Sequence, residues 1–407
     1  MKPTRTLYFV GIGMGNPDTM TVEAQKAIRA SDALIGAKRM TEPFEALGKP
    51  ILHAYKDEDI VAFIREHEEY QTISILFSGD TGFYSGAKPL YEQMQDCTIR
   101  TICGISSVQY LCAKLGVPWE DAELLSLHGR AQNLIAAVRR RRKVFALTGG
   151  ENSVQNICRM LCDYGYSDVM VAVGEHLSYG DERITKDTAE QLQAQSFHPL
   201  SVVLIVNPHA ADAVVTHGLP DEAFLRTKVP MTKSEVRSVS LSRLELCETD
   251  VVYDIGAGTG SIAVEAALQI GRGTVYAIEK GEAALELLEQ NRQRFACPNL
   301  QIIAGTAPEA LADLPAPDKV FIGGTSGRLA DIVTALLAKN PSVRMVLNAI
   351  ALETLSAALR VFEEQQMEVL DIAQISVAKA KAVGGYRMMT AHNPVFILTA
   401  QRREAHD

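Results

Sequence analysis

No Cys-x-x-Cys pair occurs in this chain, no apolar run approaches a membrane span, and neither half is basic. Each absence removes a class of protein. The seven cysteines stand at 97, 103, 112, 158, 162, 247 and 297. Only Cys158 and Cys162 share a helical spacing, and no His or Cys cluster completes a metal site, so they read as core packing. An odd count without a framework suits a reducing, cytoplasmic setting. The start, "MKPTRTLYFVGIG", is followed by Gly-Asn-Pro-Asp rather than a cleavage site and reads as a first strand. Without a span, no membrane partner is expected. Residues 1–207 hold 21 Lys+Arg against 25 Asp+Glu, and residues 208–407 hold 19 against 24. That balance argues against nucleic acid as a partner. Neither half shows a Ser-His-Asp set.

What is present is ample core material: 407 residues, 47% hydrophobic and 22% charged, enough for two or three domains. Short apolar runs alternate with helical patterns. Strands are predicted at 6–12, 72–78, 97–103, 143–148, 168–174 and 200–206, then at 250–256, 273–279, 300–305, 319–324 and 343–349. Such alternation predicts an α/β fold with parallel sheets. Toward the end, "MEVLDIAQISVAKA" and "HNPVFILTAQ" predict an antiparallel pair around a loop. Residues 207–229, rich in proline and aperiodic, are expected to link domains 1–206 and 230–407. Beyond them Thr232 and Glu235 have the spacing of a helix cap.

The run "VVYDIGAGTGSIAVEAA" ends a strand in a loop with three glycines, Gly256, Gly258 and Gly260. Glycine lets backbone approach a ligand closely. Glu279 ends the next strand, where a carboxylate can take ribose hydroxyls. The third glycine comes one residue early for a dinucleotide loop, and Asp254 beside it would repel a pyrophosphate. A carboxylate there could receive an ammonium. S-adenosylmethionine, with ribose, ammonium and no phosphate, fits this loop better. A second loop, "VGIGMGNPDTMT", has Gly11, Gly13 and Gly15 but no acidic strand end at the matching distance, so it is not a copy of the same fold.

Around these loops the sequence resembles known families. "MTKSEVRSVSLSRL", "DIGAGTGSIAVEAA", "AIEK" and "FIGGTSG" resemble the decarboxylating corrin-ring methyltransferases of cobalamin biosynthesis. "LFSGDTGFYSGA", "CGISSVQYLCAKLG", "SLHGR", "TGGENS" and "VGEHLSYGDERI" resemble the tetrapyrrole methylases. The resemblance implies an N-terminal two-lobed tetrapyrrole methylase domain and a C-terminal class I Rossmann-like methyltransferase domain. Each would bind S-adenosylmethionine, for methylation of one precorrin-6-stage macrocycle at ring positions 5 and 15 with loss of carbon dioxide. Carried over, Gly11, Gly13, Gly15, Gly79, Asp80, Ser106 and Ser107 would contact cofactor or substrate in the first domain. In the second, Thr232 would lie near the cofactor, Gly256, Gly258 and Gly260 along its methionine end, Glu279 at the ribose and Ala307 near the adenine. Thr81 and Cys103 stand where the family has proline.

A polycarboxylated tetrapyrrole substrate calls for cations. Lys233, Arg237, Lys379, Lys381 and Arg387 are the candidates. Tyr386 and His392 are candidate proton donors. The run "RRRRK", 139–143, reads as a helix C-terminus whose charges complement the dipole. His128 could shape the first site or brace its loop. No metal is implied. A homo-oligomer is expected by analogy. Rival readings are an RNA methyltransferase, a nicotinamide-dependent oxidoreductase, and one domain serving as a non-catalytic ligand sensor.

Overall fold

The computed structural model describes residues 5–128, 132–210 and 217–402. The chain divides into two compact units, one of residues 1–130 and 141–210, the other of residues 131–140 and 211–407.

The first unit has two sheets. One holds β1 (Thr6–Gly11), β2 (Ala33–Gly36), β3 (Ile51–His53), β4 (Thr72–Phe77) and β5 (Thr98–Ile102) in the order β3-β2-β4-β1-β5. All its pairs are parallel. Leu7, Phe9, Ile73 and Ile75 are buried from one face and Val10, Leu34 and Leu76 from the other. Burial on both faces explains why β1 and β4 read as continuous apolar runs.

The other sheet holds β6 (Ala122–Ser126), β7 (Lys143–Leu147), β8 (Met170–Glu175), β9 (Arg183–Thr188) and β10 (Ser201–Val206), ordered β6-β7-β10-β8-β9. Only β6 and β7 run parallel. The others pair antiparallel. This corrects the expectation of parallel sheets throughout. The strand runs at 143–148, 168–174 and 200–206 exist, but an apolar run does not encode its partner's direction.

The second unit is a seven-stranded sheet of β11 (Val251–Ile255), β12 (Thr274–Glu279), β13 (Leu300–Ala304), β14 (Lys319–Ile322), β15 (Arg344–Ala349), β16 (Glu368–Ile375) and β19 (Val395–Gln401). Its order is β13-β12-β11-β14-β15-β19-β16. The first five strands are parallel. β19 enters antiparallel between β15 and β16. The predicted loop between β16 and β19 is instead a hairpin of β17 (Ala378–Val383) and β18 (Tyr386–Ala391), exposed along its whole length.

Of residues 207–229, expected as linker, 211–216 lie outside the described residues and 217–229 pack into this unit. Phe224 is buried with Val236, Leu241 and Ile262. The helix Ser234–Leu244 takes Lys233, not Thr232, as its N-cap residue, without a side-chain cap. Asp221 supplies the acceptor instead, its Oδ1 3.0 Å from the Ser234 amide. In the helix Leu134–Arg140 the two terminal arginines lie in the last turn. Arg139 donates to the Phe295 carbonyl at 3.0 Å, and Arg140 to that of Leu268. Phe295 is the C-cap of the helix Glu282–Arg294, and Leu268 lies in the last turn of the helix Ser261–Gln269. Arg139 and Arg140 of the basic run therefore meet the negative ends of two further helices.

Candidate functional site

The chain order of the large sheet reverses between β11 and β14, and ligands of open α/β sheets bind outside the carboxyl ends of strands at such a point. A cavity of ≈ 840 Å³ lies there, lined by Ile255, Gly256, Ala257 and Gly258 after β11, Glu279 to Ala284 after β12, and Gly305 to Ala307 after β13. Gly323 to Ser326 after β14, and Asn348 and Ile350 at β15, close the far side. Val229 to Lys233 form its roof, and Val377, His392, Asn393 and Val395 its distal wall.

The floor is bare backbone for a steric reason. A Cβ on Gly256 would stand 2.8 Å from the Gly324 amide, and one on Gly258 2.8 Å from the Pro230 carbonyl. Both have positive φ, 75° and 57°, where only glycine is unstrained. Glu279 shapes the loop. Its Oε2 accepts from the Gly258 amide at 2.8 Å, and its Oε1 from the amides of Lys280 and Gly281, each at 2.8 Å. Lys280 donates to Ser326 Oγ at 2.9 Å, bridging the loops after β12 and β14.

Several expected site residues are elsewhere. Gly260 is absent from the cavity wall. It caps the helix Ser261–Gln269 at φ 78°, and a Cβ there would strike Leu288. Asp254 is 1% exposed and faces the core, not the cavity. Its Oδ2 accepts from the Ala263 amide at 3.0 Å, so it braces the helix start instead of meeting an ammonium. Arg237, expected as a substrate anchor, is 0% exposed and fully engaged inside the unit. Tyr386, at 80% exposure, is outside the cavity, as are Lys381 and Arg387 on the same hairpin. Lys379 is tied to Glu235 at 2.8 Å. Thr232, Lys233, Ala307 and His392 do line the cavity. Asn348, Thr306, Thr325, Ser326 and Lys280 line it too and were not anticipated. The polar end of "VRMVLNA" was the available signal for Asn348.

Burial pushes the Asp254 carboxyl up to about 7, with Glu279 adding to the rise and the Ala263 hydrogen bond opposing it. A raised carboxyl keeps its proton in the folded state after the unfolded chain has lost it. Its contribution is therefore full below the ordinary carboxylate range and disappears as pH rises toward 7. Asp254→Asn keeps an acceptor for Ala263 and removes the titration. Thermal unfolding of the ligand-free chain is expected to show the second unit's Tm falling between about pH 4 and 7. In the Asn variant that fall is smaller. Parallel profiles in the two proteins would refute this assignment.

The first unit has a cavity of ≈ 450 Å³ where the ends of both its sheets meet. Met14, Ser78, Gly79, Gly86 and Ser107 come from loops of the parallel sheet. Ser126, His128, Thr148, Leu177, Tyr179, Leu200 and Ser201 come from the other. Among the expected residues, Gly79 and Ser107 line this cavity; Gly11, Gly13, Gly15, Asp80 and Ser106 do not. The reason is backbone packing. A Cβ on Gly11 would lie 2.7 Å from the Gly104 amide and 2.8 Å from the Gly79 carbonyl. Gly13 and Gly79 exchange backbone hydrogen bonds of 3.2 and 2.6 Å. Gly15 lies against Tyr179. Asp80 accepts from the amides of Gly82 at 2.8 Å and Gly104 at 3.0 Å. Ser106 closes a capping box with Gln109 at the helix Ser107–Leu115. His128 packs against Gly149 and also faces the cavity. Among the described residues no group of His, Cys, Asp and Glu could hold a metal ion.

Two family models match the chain. "Tetrapyrrole (Corrin/Porphyrin) Methylases" covers residues 6–193, and "Precorrin methyltransferase domain" covers residues 222–402. A Pyrobaculum calidifontis protein named probable cobalt-precorrin-6B C(15)-methyltransferase (decarboxylating) is 43% identical over 46% of this chain and 96% of its own length. The chain belongs to the precorrin methyltransferases. The Salmonella typhimurium protein named as the same C(15)-methyltransferase is 40% identical, over 46% of this chain and 98% of its own. Both halves align with a Sinorhizobium protein named precorrin-6Y C(5,15)-methyltransferase [decarboxylating], 27% identical over 97% of this chain and 95% of that one. Both glycine loops thus fall within methyltransferase families, one tetrapyrrole methylase and one precorrin methyltransferase.

Proposed function

We infer that this chain methylates a precorrin-6-stage macrocycle at ring positions 5 and 15 and decarboxylates it, with one S-adenosylmethionine site in each unit. The observation that carries the reading is a ligand-sized cavity in each unit, the two lying inside different methylase families. The volumes suit small molecules, for which about 300–1,000 Å³ is usual. The second cavity fits the cofactor chemically. Gly256 and Gly258 floor it with backbone, and Glu279 offers acceptors for ribose hydroxyls. The first offers hydroxyls from Ser107, Thr148, Ser201 and Tyr179 among Leu147, Leu177 and Val202.

Bound S-adenosylmethionine supplies a methyl group on a sulfonium, already a good leaving group. The protein's part is alignment of that methyl with the nucleophilic ring carbon. In the second unit Gly256 to Gly258 and Glu279 hold one partner, and Lys233 and Lys280 face the carboxylates of the other. Ile255, Val377 and Val395 exclude water from the carboxylate that leaves. Loss of carbon dioxide leaves a carbon that needs a proton, and we assign its delivery to the His392 imidazole at the distal wall. Tyr386, on the exposed hairpin, is not assigned that role. The names of the single-domain relatives support giving position 15 and the decarboxylation to the second unit, and position 5 to the first. Calorimetry with S-adenosylmethionine is expected to give two equivalents per chain. One equivalent for the whole chain would sink the reading.

A further inference from the structure

The roof of the second cavity has no regular structure of its own; residues 225–233 are coil and bends. Loops of that kind are normally mobile. Here the segment leading to it, from residue 217, is held by buried polar side chains of three helices. From the helix Ser261–Gln269, Glu265 accepts the amides of Gly218 at 2.6 Å and Leu219 at 3.0 Å. Asn291, from the helix Glu282–Arg294, accepts the Leu225 amide at 2.8 Å. It donates to the carbonyls of Leu225 at 3.0 Å and Thr259 at 2.9 Å. One side chain therefore joins the strap to the glycine loop.

Arg237, from the helix Ser234–Leu244, is the centre of the set. Nε donates to Glu265 Oε1 at 2.5 Å. Nη1 donates to the Thr232 carbonyl at 2.6 Å and lies 3.4 Å from Asp221 Oδ1. Nη2 donates to the Leu219 carbonyl at 2.5 Å. The guanidinium lies 4.8 Å over the Phe224 ring. Arg237, Glu265 and Asn291 are 0%, 2% and 0% exposed. None of them lines the cavity.

A buried ion pair seldom gains net stability over apolar groups of the same volume. What it supplies is geometry, and two of its acceptors are main-chain carbonyls, that of Leu219 in the segment leading to the roof and that of Thr232 in the roof itself. We propose that Arg237, with Glu265 and Asn291, is a positioning residue that fixes the Pro230–Lys233 roof and so sets cofactor affinity at the second site without touching the cofactor. This rests on the reading that the second cavity binds S-adenosylmethionine.

The test follows methyl incorporation at position 15 against cofactor concentration in the full chain. Arg237→Met is expected to raise the cofactor KM about tenfold, the effect of one lost or misplaced polar contact. Its kcat at saturating cofactor stays within about threefold, since the transition-state contacts are intact. Methylation at position 5 in the same sample calibrates the amount of chain, and the thermal transition of the second unit reports its folding. Arg237→Lys keeps the charge but not the planar fork and restores little of the affinity. Because Arg237→Met leaves Glu265 buried and unpaired, the double variant Arg237→Met/Glu265→Met separates stability from positioning. It should regain much of the wild-type Tm while its KM stays high. A double variant with wild-type KM overturns the inference and leaves the function standing. So does a KM that recovers in step with Tm. A wild-type second unit that binds no cofactor overturns the functional reading, and this inference with it.

Discussion

Glu279→Ala should yield a chain that still methylates position 5 but neither methylates position 15 nor releases carbon dioxide. The side chain makes three hydrogen bonds to backbone amides, those of Gly258, Lys280 and Gly281, all at 2.8 Å. Removing it takes away the acceptor offered to the ribose and the brace that shapes the loop. Hydrogen bonds to a charged group contribute about 1.5–3 kcal/mol each. The expected loss at position 15 is at least about a hundredfold, equivalent to about 3 kcal/mol. Glu279→Gln keeps one acceptor oxygen and should fall between. The readout is product mass with labelled cofactor, together with released carbon dioxide. Decarboxylation that continues at the wild-type rate in Glu279→Ala would place that step outside this cavity.

The reciprocal variant is Ser107→Trp. Ser107 begins the helix Ser107–Leu115 and borders a cavity of ≈ 450 Å³. An indole there occupies space the first cofactor needs, while the backbone stays helical and the cap remains with Ser106. The variant is expected to lose methylation at position 5 by at least about a hundredfold. The second unit should still release carbon dioxide. Wild-type methylation at position 5 would show that the first cofactor binds elsewhere. A glycine change such as Gly13→Arg is a poorer probe. Gly13 has φ 69°, and a Cβ there would lie 2.9 Å from Thr19 Oγ1, so the fold would suffer before the site.

Those glycines show where the sequence could be read and where it could not. A glycine demanded by a ligand and one demanded by another backbone are the same letter. In the second unit Gly256 and Gly258 line the cavity and also meet the backbone of Gly324 and Pro230; in the first, Gly11 and Gly13 serve only contacts among the loops after β1, β4 and β5 and line no cavity described above. Asp254 misled for a related reason, since a carboxylate at a strand end can turn to the ligand or back to the helix start. Arg237 looked like an anion anchor because charge is visible in sequence and burial is not. Strands β11 to β15 were legible as apolar runs buried on both sides. β2 and β3 are too short to stand out, and β9, "RITKDT", is a polar edge strand. Thr148, Leu200 and Ser201 reach the first cavity from strand ends of the antiparallel region, where no local motif marks them.

The strap of residues 217–225 also bears on how the second unit opens. Amide protons in coil normally exchange with solvent deuterium almost freely, and slow exchange is the mark of helices and strands deep in a fold. The amides of Gly218, Leu219 and Leu225 end on Glu265 and Asn291, which are almost wholly out of water. They can exchange only when those side chains let go. Because Asn291 also holds the Thr259 carbonyl, release frees the glycine loop in the same event. The strap and that loop thus form one cooperative unit of local unfolding, a foldon with neither strand nor α-helix of its own.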